Sequence, residues 1–418
     1  MNNPGSRAGT LLHFRVVAWA MWDCGSTGLN AIVTTFVFSV YLTSAVGQGL
    51  PGGTSPASWL GRAGAVAGLT IGVLAPVVGV WVESPHRRRV ALSVLTGTAV
   101  ALTCAMFLIR DDPRYLWAGL VLLAATAASS DLSSVPYNAM LRQLSTPSTA
   151  GRISGFGWAS GYVGSVALYV RMAMLVAAAW LALLGLPLLL VAHRLPDSGA
   201  ASHPSTGLLG GYRKLWTEIS AEWRRDRNLV YFLVASAIFR DGLAAIFAFG
   251  AVLGVNAYGL TQADVLIFGA AASVVAAVGA VLGGFVDHRI GSKPVIVGSL
   301  AAIIAAALTL LTLSGPTAFW ACGLLLCVFI GPAQSSARAL LLHMAQHGKE
   351  GVAFGLYTMT GRAVSFLGPW LFSVFVDVFH TVRAGLGGVC LVLTTGLLLM
   401  LRVQVSRHGG ALTTAQSS

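Results

Sequence analysis

GVWVESPHRRR at residues 79–89 and GGFVDHRIGSK at residues 283–293 are two versions of one pattern. Each opens on a glycine near the end of a long apolar run (Gly79, Gly283) and places a carboxylate four residues on (Glu83, Asp287). Each then closes on a basic cluster: Arg87 to Arg89 in the first copy, Arg289 and Lys293 around Gly291 in the second. The copies lie 204 residues apart. A second echo, at a shift of 200, superposes Gly151, Gly155 and Gly161 on Gly351, Gly355 and Gly361, with Ala139 and Leu141 over Ala339 and Leu341. Two echoes in the same order predict a chain built by duplication.

Working outward, the halves are strings of apolar segments. Of 418 residues, 56% are hydrophobic and 10% charged, more apolar material than a soluble domain of this size buries around one core. A bilayer core needs roughly 20 apolar residues per helical crossing, so twelve crossings take about 240 residues. The spans fall near 14–42, 57–82, 89–109, 115–141, 152–170 and 172–192, then 229–254, 262–286, 294–314, 317–343, 352–378 and 384–402. Between the halves, HRLPDSGAASHPSTG (193–207) is polar and turn-rich, and GYRKLWTEISAEWRRDRN (211–228) sets Leu215, Trp216, Ile219 and Trp223 at helical spacing. This predicts a linker ending in an amphipathic surface helix. The expected fold is an all-α polytopic membrane protein with twelve transmembrane helices in two pseudo-symmetric six-helix bundles. Residues 1–192 form the first bundle, 193–228 the linker, and 229–418 the second bundle with a short tail.

Spans 5 and 6 are separated only by Arg171, and one helix over both would run about 60 Å, twice the bilayer core. The chain is therefore expected to turn near residues 169–172. Charge placement supports that return. The net charge of +12 comes from 26 Lys+Arg against 14 Asp+Glu, and the basic residues cluster in alternate short loops and the linker. This places both termini in the cytoplasm of a plasma-membrane protein, leaving only Arg110, Arg114, Arg171 and Arg383 outside. Gly64, Gly68 and Gly72, then Gly279 and Gly283, have the small-xxx-small spacing of close helix approach. The five cysteines lie in apolar stretches without a CxxC pair and are read as packing residues.

The twelve spans in two halves, and the acidic and basic signature after spans 2 and 8, resemble the major facilitator superfamily. More narrowly, AWAMWDCGSTGLNAIVTTFVFSVYL (18–42), PYNAMLRQL (136–144), GRISGFGWASGYVG (151–164), FRDGLAAIFAFG (239–250) and FGLYTMTGRAVSFLGP (354–369) resemble the vacuole-effluxer-like branch. Its fungal members export amino acids from the vacuole, and its bacterial members are mostly of unknown substrate. The resemblance implies a transporter with an acid at the place of Asp23 in span 1.

An ionisable residue inside a span is costly and marks function by default. Asp23 and Asp131 each lie roughly 15 Å from the cytoplasmic end of their span, and Arg240, Asp241 and Arg362 fall at similar depths in the second half. These five are the expected proton-coupling or cavity residues. Asp23 ranks first for coupling, since a carboxylate that alternates between wet and desolvated settings can carry a proton. Arg240 and Asp241 point about 100° apart on a helix, so they cannot share one partner face. Gly79, Glu83, Arg87, Gly283, Asp287, Arg289, Gly291 and Lys293 form the expected conformational latch.

Other motifs fail on context. The glycines of 155–161 open a membrane helix with no preceding strand, and none of the three lysines sits in a GxxxxGK[ST] loop, which argues against dinucleotide and ATP sites. His343 and His347 lack the Glu of HExxH, and Asp111-Asp112 is a turn in an outer loop. The expected activity is not enzymatic and needs no cofactor, metal or nucleic acid. It is secondary transport by a monomer in the lipid bilayer, with the substrate between duplicated halves. A proton-coupled export of an amino-acid-like or amphipathic solute leads; drug efflux, or a non-transporting receptor or scaffold on the same bundle, are the alternatives.

Overall fold

Backbone groups in hydrocarbon must find their hydrogen-bond partners within their own segment, and the apolar runs are accordingly helical. The computed structural model describes residues 4–30, 33, 37–47, 56–146, 149–163, 170–192 and 227–404. The helices are α1 (Pro4–Asn30), α2 (Pro56–Trp81), α3 (Pro85–Ala105), α4 (Leu116–Ala139), α5 (Ala150–Val163) and α6 (Val170–Val191). They continue with α7 (Arg227–Tyr258), α8 (Gln262–Ile290), α9 (Ser292–Thr312), α10 (Pro316–Met344), α11 (Glu350–Val364), α12 (Leu367–Phe379) and α13 (Gly385–Arg402). Among the described residues, 10 stretches are long and apolar enough to cross a membrane, α11 and α12 counting as one. With α1 and α5 these make twelve crossings.

Local chemistry sets the helix starts. Ser84 caps α3 by accepting from the Arg87 N–H, with Pro85 in the first turn where its missing donor costs nothing. Thr261 and Asp264 form a reciprocal capping box on α8. Gly291 and Gly315, both at φ 89, turn the chain between α8 and α9 and into α10.

One expectation about the spans changes. The eleventh span is not one helix over 352–378: it breaks at Ser365 and Phe366, and α12 starts anew. Asp241 of α7 supplies the reason, because its carboxylate accepts the Gly368 N–H in the first turn of α12 and so caps the break. Of the turn expected near 169–172, residues 170–172 belong to α6; residues 164–169, and the linker helix expected at 211–228 apart from 227 and 228, lie outside the described residues.

The halves meet along two helix pairs at the end that carries Arg87 to Arg89, Arg142 and Arg289, called here the basic end. There α2 lies on α11 so closely that a methyl on Gly79 would strike the Gly351 carbonyl, and one on Gly355 would lie 2.7 Å from the Ala75 oxygen. The related pair is α5 on α8, where a methyl on Gly284 would lie 2.9 Å from the Gly151 oxygen. Gly68 and Gly72 occupy nearly the same face of α2 as Gly79, yet nothing lies within 4 Å of a methyl built there, nor on Gly64 or Gly269. The close packing expected of Gly64, Gly68 and Gly72 is thus absent: α2 leaves its partner as it rises from the basic end. Gly279 and Gly283 do pack closely, on Val328 and Pro332 of α10 within their own half. Of the cysteines, Cys322, Cys327 and Cys390 are buried, Cys24 half-buried and Cys104 exposed.

Candidate functional site

Between the halves lies a cavity of about 600 Å³ whose lining includes Asp23, Asp131, Arg240, Asp241 and Arg362, the five ionisable positions singled out within the spans. It also includes Arg338 of α10, which the sequence reading passed over. Three carboxylates thus face three guanidiniums. The first half contributes Asp23 and Asp131; the second contributes all three arginines and Asp241.

Their pairing runs across the halves. Arg338 Nη2 lies 3.5 Å from Asp23 Oδ2, and Arg362 is ion-paired with Asp131. Arg240 and Asp241 diverge, as their spacing requires. Arg240 lies 3.9 Å over the Tyr357 ring and donates to the Tyr357 carbonyl at 3.2 Å, while Asp241 caps α12. The last contact gives Asp241 a structural task beside its place in the cavity wall.

The floor is aromatic. Tyr137 stacks with Trp19 at 4.5 Å and with Trp22 at 4.3 Å between ring centroids. The indole of Trp19 donates to the Tyr137 carbonyl and that of Trp22 to Thr96 Oγ1, both at 3.1 Å, so the rings are held from behind. Above them, Asn30 Nδ2 donates to Ser130 Oγ at 3.1 Å, giving this wall hydroxyl and amide groups.

Below the floor, the basic end is sealed. Glu350 at the start of α11 is fully buried between Arg142, at 2.6 Å, and Arg88, at 3.7 Å, both from the first half. Arg88 is itself 0% exposed and donates to the carbonyls of Val82 and Ala139 at 3.1 Å and of Glu83 at 3.4 Å. Arg142 reaches across to the Leu342 and Ala345 carbonyls, closing the end of α10. The Gly348 N–H donates to Glu350 Oε1 at 3.0 Å.

The residues expected to form a latch take unequal places around this seal. Asp287 is buried, accepts from Ser292 Oγ at 3.0 Å, and lies against the first turn of α5, where a methyl on Gly151 would strike its carboxylate. Glu83 is buried beside Arg88, and Gly79 is the contact point with α11. Arg87 is half-buried and Arg289 exposed. Gly283 packs within its own half, the neighbour Gly284 being the one that meets α5. Gly291 turns the backbone. Lys293 does not reach across: its Nζ donates to the Leu401 and Val403 carbonyls at 3.0 and 2.6 Å and closes the end of α13. At this seal, Arg88 and Arg142 pair with Glu350 across the halves.

With this geometry in hand, the relatives can be placed. The vacuole effluxer Atg22-like family matches residues 159–410. The chain is 20% identical to the uncharacterised MFS-type transporter YxiO of Bacillus subtilis, over 92% of this chain and 93% of that one. It is 23% identical to autophagy-related protein 22 of Yarrowia lipolytica, over 62% of this chain and 51% of that one. Among solved structures it is similar to the major facilitator transporter FucP in an outward conformation, with a TM-score of 0.69, 14% identity and coverage of 94% and 100%. The proton:xylose symporter XylE gives a TM-score of 0.69 at 13% identity, covering 96% of each chain. The fold is therefore that of the major facilitator superfamily, and the activity is secondary transport of a small solute across a membrane. On the match over more than half its length, the chain belongs to the vacuole effluxer Atg22-like family of major facilitator transporters.

Proposed function

We propose that the protein exports a small amine-bearing solute, amino-acid-like or amphipathic, from the cytoplasm across the plasma membrane in exchange for protons. The rocking bodies are residues 1–192 and 229–418, joined by 193–228, with both termini and the basic end in the cytoplasm. The observation that carries this reading is the cavity itself: charges paired across the halves at mid-depth, above a seal at the basic end. In this orientation the structure corresponds to the outward-open state. The inner gate is Arg88, Arg142 and Glu350, helped by Asp287 against the start of α5. Asp23 is the coupling acid. It carries a proton inward and gives up that place to cargo on the way out, so the two compete for one carboxylate.

Purified protein in proteoliposomes, screened by counterflow with amino acids, short peptides and cationic drugs, should reveal a substrate whose uptake follows an imposed pH gradient. Asp23→Asn should abolish the gradient-driven component and leave exchange only at a raised substrate concentration, since the cargo loses its carboxylate partner. Uptake that still follows the gradient in Asp23→Asn and in the Asp23→Asn/Asp131→Asn double variant would end the coupling assignment. No substrate-dependent flux at all would favour a receptor or scaffold.

A further inference from the structure

The first half presents a box that the second half fills. Its walls are Asp23 and Trp19 of α1, Tyr137 of α4 and Trp158 of α5, and the guanidinium inside comes from α10. Arg338 Cζ lies 5.4, 5.5 and 5.2 Å from the ring centroids of Trp19, Tyr137 and Trp158, within cation–π reach of all three. The stacked rings are braced from within their own half, by the Tyr137 carbonyl and Thr96. Two of the box's three rings, Trp19 and Tyr137, are therefore held without the occupant.

The occupant is poorly matched to it. A guanidinium is a rigid fork of five donors, and at the basic end Arg88 and Arg142 spend theirs on carbonyls and Glu350. Arg338 Nη1 is buried with no hydrogen-bond partner, and neither Asp23 Oδ2 nor Tyr137 Oη has one. The seat supplies charge and π faces rather than a set of acceptors. That is the recognition chemistry of an ammonium group, above all a substituted one.

We propose that this box is the cargo's cation seat, and that Arg338 fills it as a tethered stand-in for the cargo's ammonium group while the basic end is closed. When the halves rock and the basic end opens, α10 carries Arg338 away and the vacated seat takes an ammonium from the cytoplasm. The return stroke brings Arg338 back and displaces the cargo to the far side. The cargo class is then small primary to quaternary ammonium compounds, zwitterionic or cationic, and excludes pure anions. This inference rests on the transport reading above, but its test measures binding, so the two fail separately: flux without the binding pattern below sinks the seat, and the pattern without flux sinks the carrier.

The test is calorimetric titration of purified protein with tetramethylammonium and with benzoate. Arg338→Gln removes the internal competitor and should tighten tetramethylammonium binding about tenfold or more, while Arg338→Lys, which still fills the seat, stays near the parent. Adding Asp23→Asn to Arg338→Gln should erase the gain, and adding Trp158→Leu should reverse it several-fold. Benzoate should bind none of them. Size-exclusion profiles report folding, and Arg338→Met replaces Arg338→Gln in the same comparisons if the latter aggregates. Unimproved binding in the folded variant, a gain that survives Asp23→Asn, or benzoate binding that requires Arg338 would each overturn the proposal.

Discussion

Among the arginine–carboxylate contacts that join the halves, those at the basic end and the one at the cavity floor are built differently. At the basic end, Arg142 and Glu350 approach to 2.6 Å, Arg88 and Glu350 are wholly buried, and both arginines also donate to carbonyls. At the floor, Arg338 and Asp23 stand 3.5 Å apart among aromatic rings, with Nη1 unpartnered. A buried carboxylate shared by two arginines that also donate to backbone carbonyls is costly to separate, whereas a single longer pair held among ring faces is more readily exchanged. The seal is made to hold one conformation. On the proposal above, the floor changes occupants.

The largest expected effect breaks that contrast at the seal. Glu350→Gln leaves two buried arginines without a counter-charge, a loss of about 3–5 kcal/mol. The protein should melt earlier and open at the basic end, so that a cysteine replacing Asn138 in a cysteine-free background becomes reactive from the cytoplasmic side. Asp23→Asn, by comparison, should cost about 1–2 kcal/mol and leave that cysteine protected. Equal losses for the two variants would erase the distinction.

Glycines on α2 sharpen the same comparison along one helix. Gly79→Ala drives a methyl into the Gly351 carbonyl, and since that obstacle is backbone, α2 and α11 must part. A cost of about 1–3 kcal/mol is expected, seen as a longer spin-label distance between the inner ends of these helices. Gly72→Ala, on the same face with nothing within 4 Å, should leave the distance unchanged and gain about 0.5–1 kcal/mol of helix propensity.

Asp287→Asn should show the smallest effect. A carboxylate beside a helix N-terminus contributes about 0.3–1 kcal/mol, and up to about 2 kcal/mol when partly buried. Turnover should slow several-fold with the melting temperature shifted by only a few degrees. Unchanged turnover and accessibility would reduce Asp287 to a surface charge.

The five cavity positions were legible because a charge inside an apolar run is conspicuous in one dimension: Asp23 follows AWAMW, and Arg362 interrupts FGLYTMTG…AVSFLGP. Arg338 obeyed the same rule and was still missed. It lies less than two turns from the basic end of α10, where a long basic side chain is ordinarily read as reaching for water. Glu350, beside Lys349 between two apolar runs, is another charge that only folding buries. Small-xxx-small spacing pointed rightly to Gly279 and Gly283 and wrongly to Gly64, Gly68 and Gly72, since spacing marks where helices can approach and says nothing of where they do.

What the sequence determined by itself was the membrane as solvent, twelve crossings, the duplicated plan, and which end of each span bears the positive charge. Those properties follow from transfer free energies that add residue by residue along the chain, so no neighbour is needed to read them. Only the tertiary structure decided that Asp23 faces Arg338 315 positions away, that Glu350 binds two arginines of the other half, and that Asp241 caps the break in the eleventh crossing through the Gly368 N–H. These depend on the rotation and tilt of whole helices, and a turn of about 100° per residue carries a side chain from lipid to cavity without changing the composition of its segment.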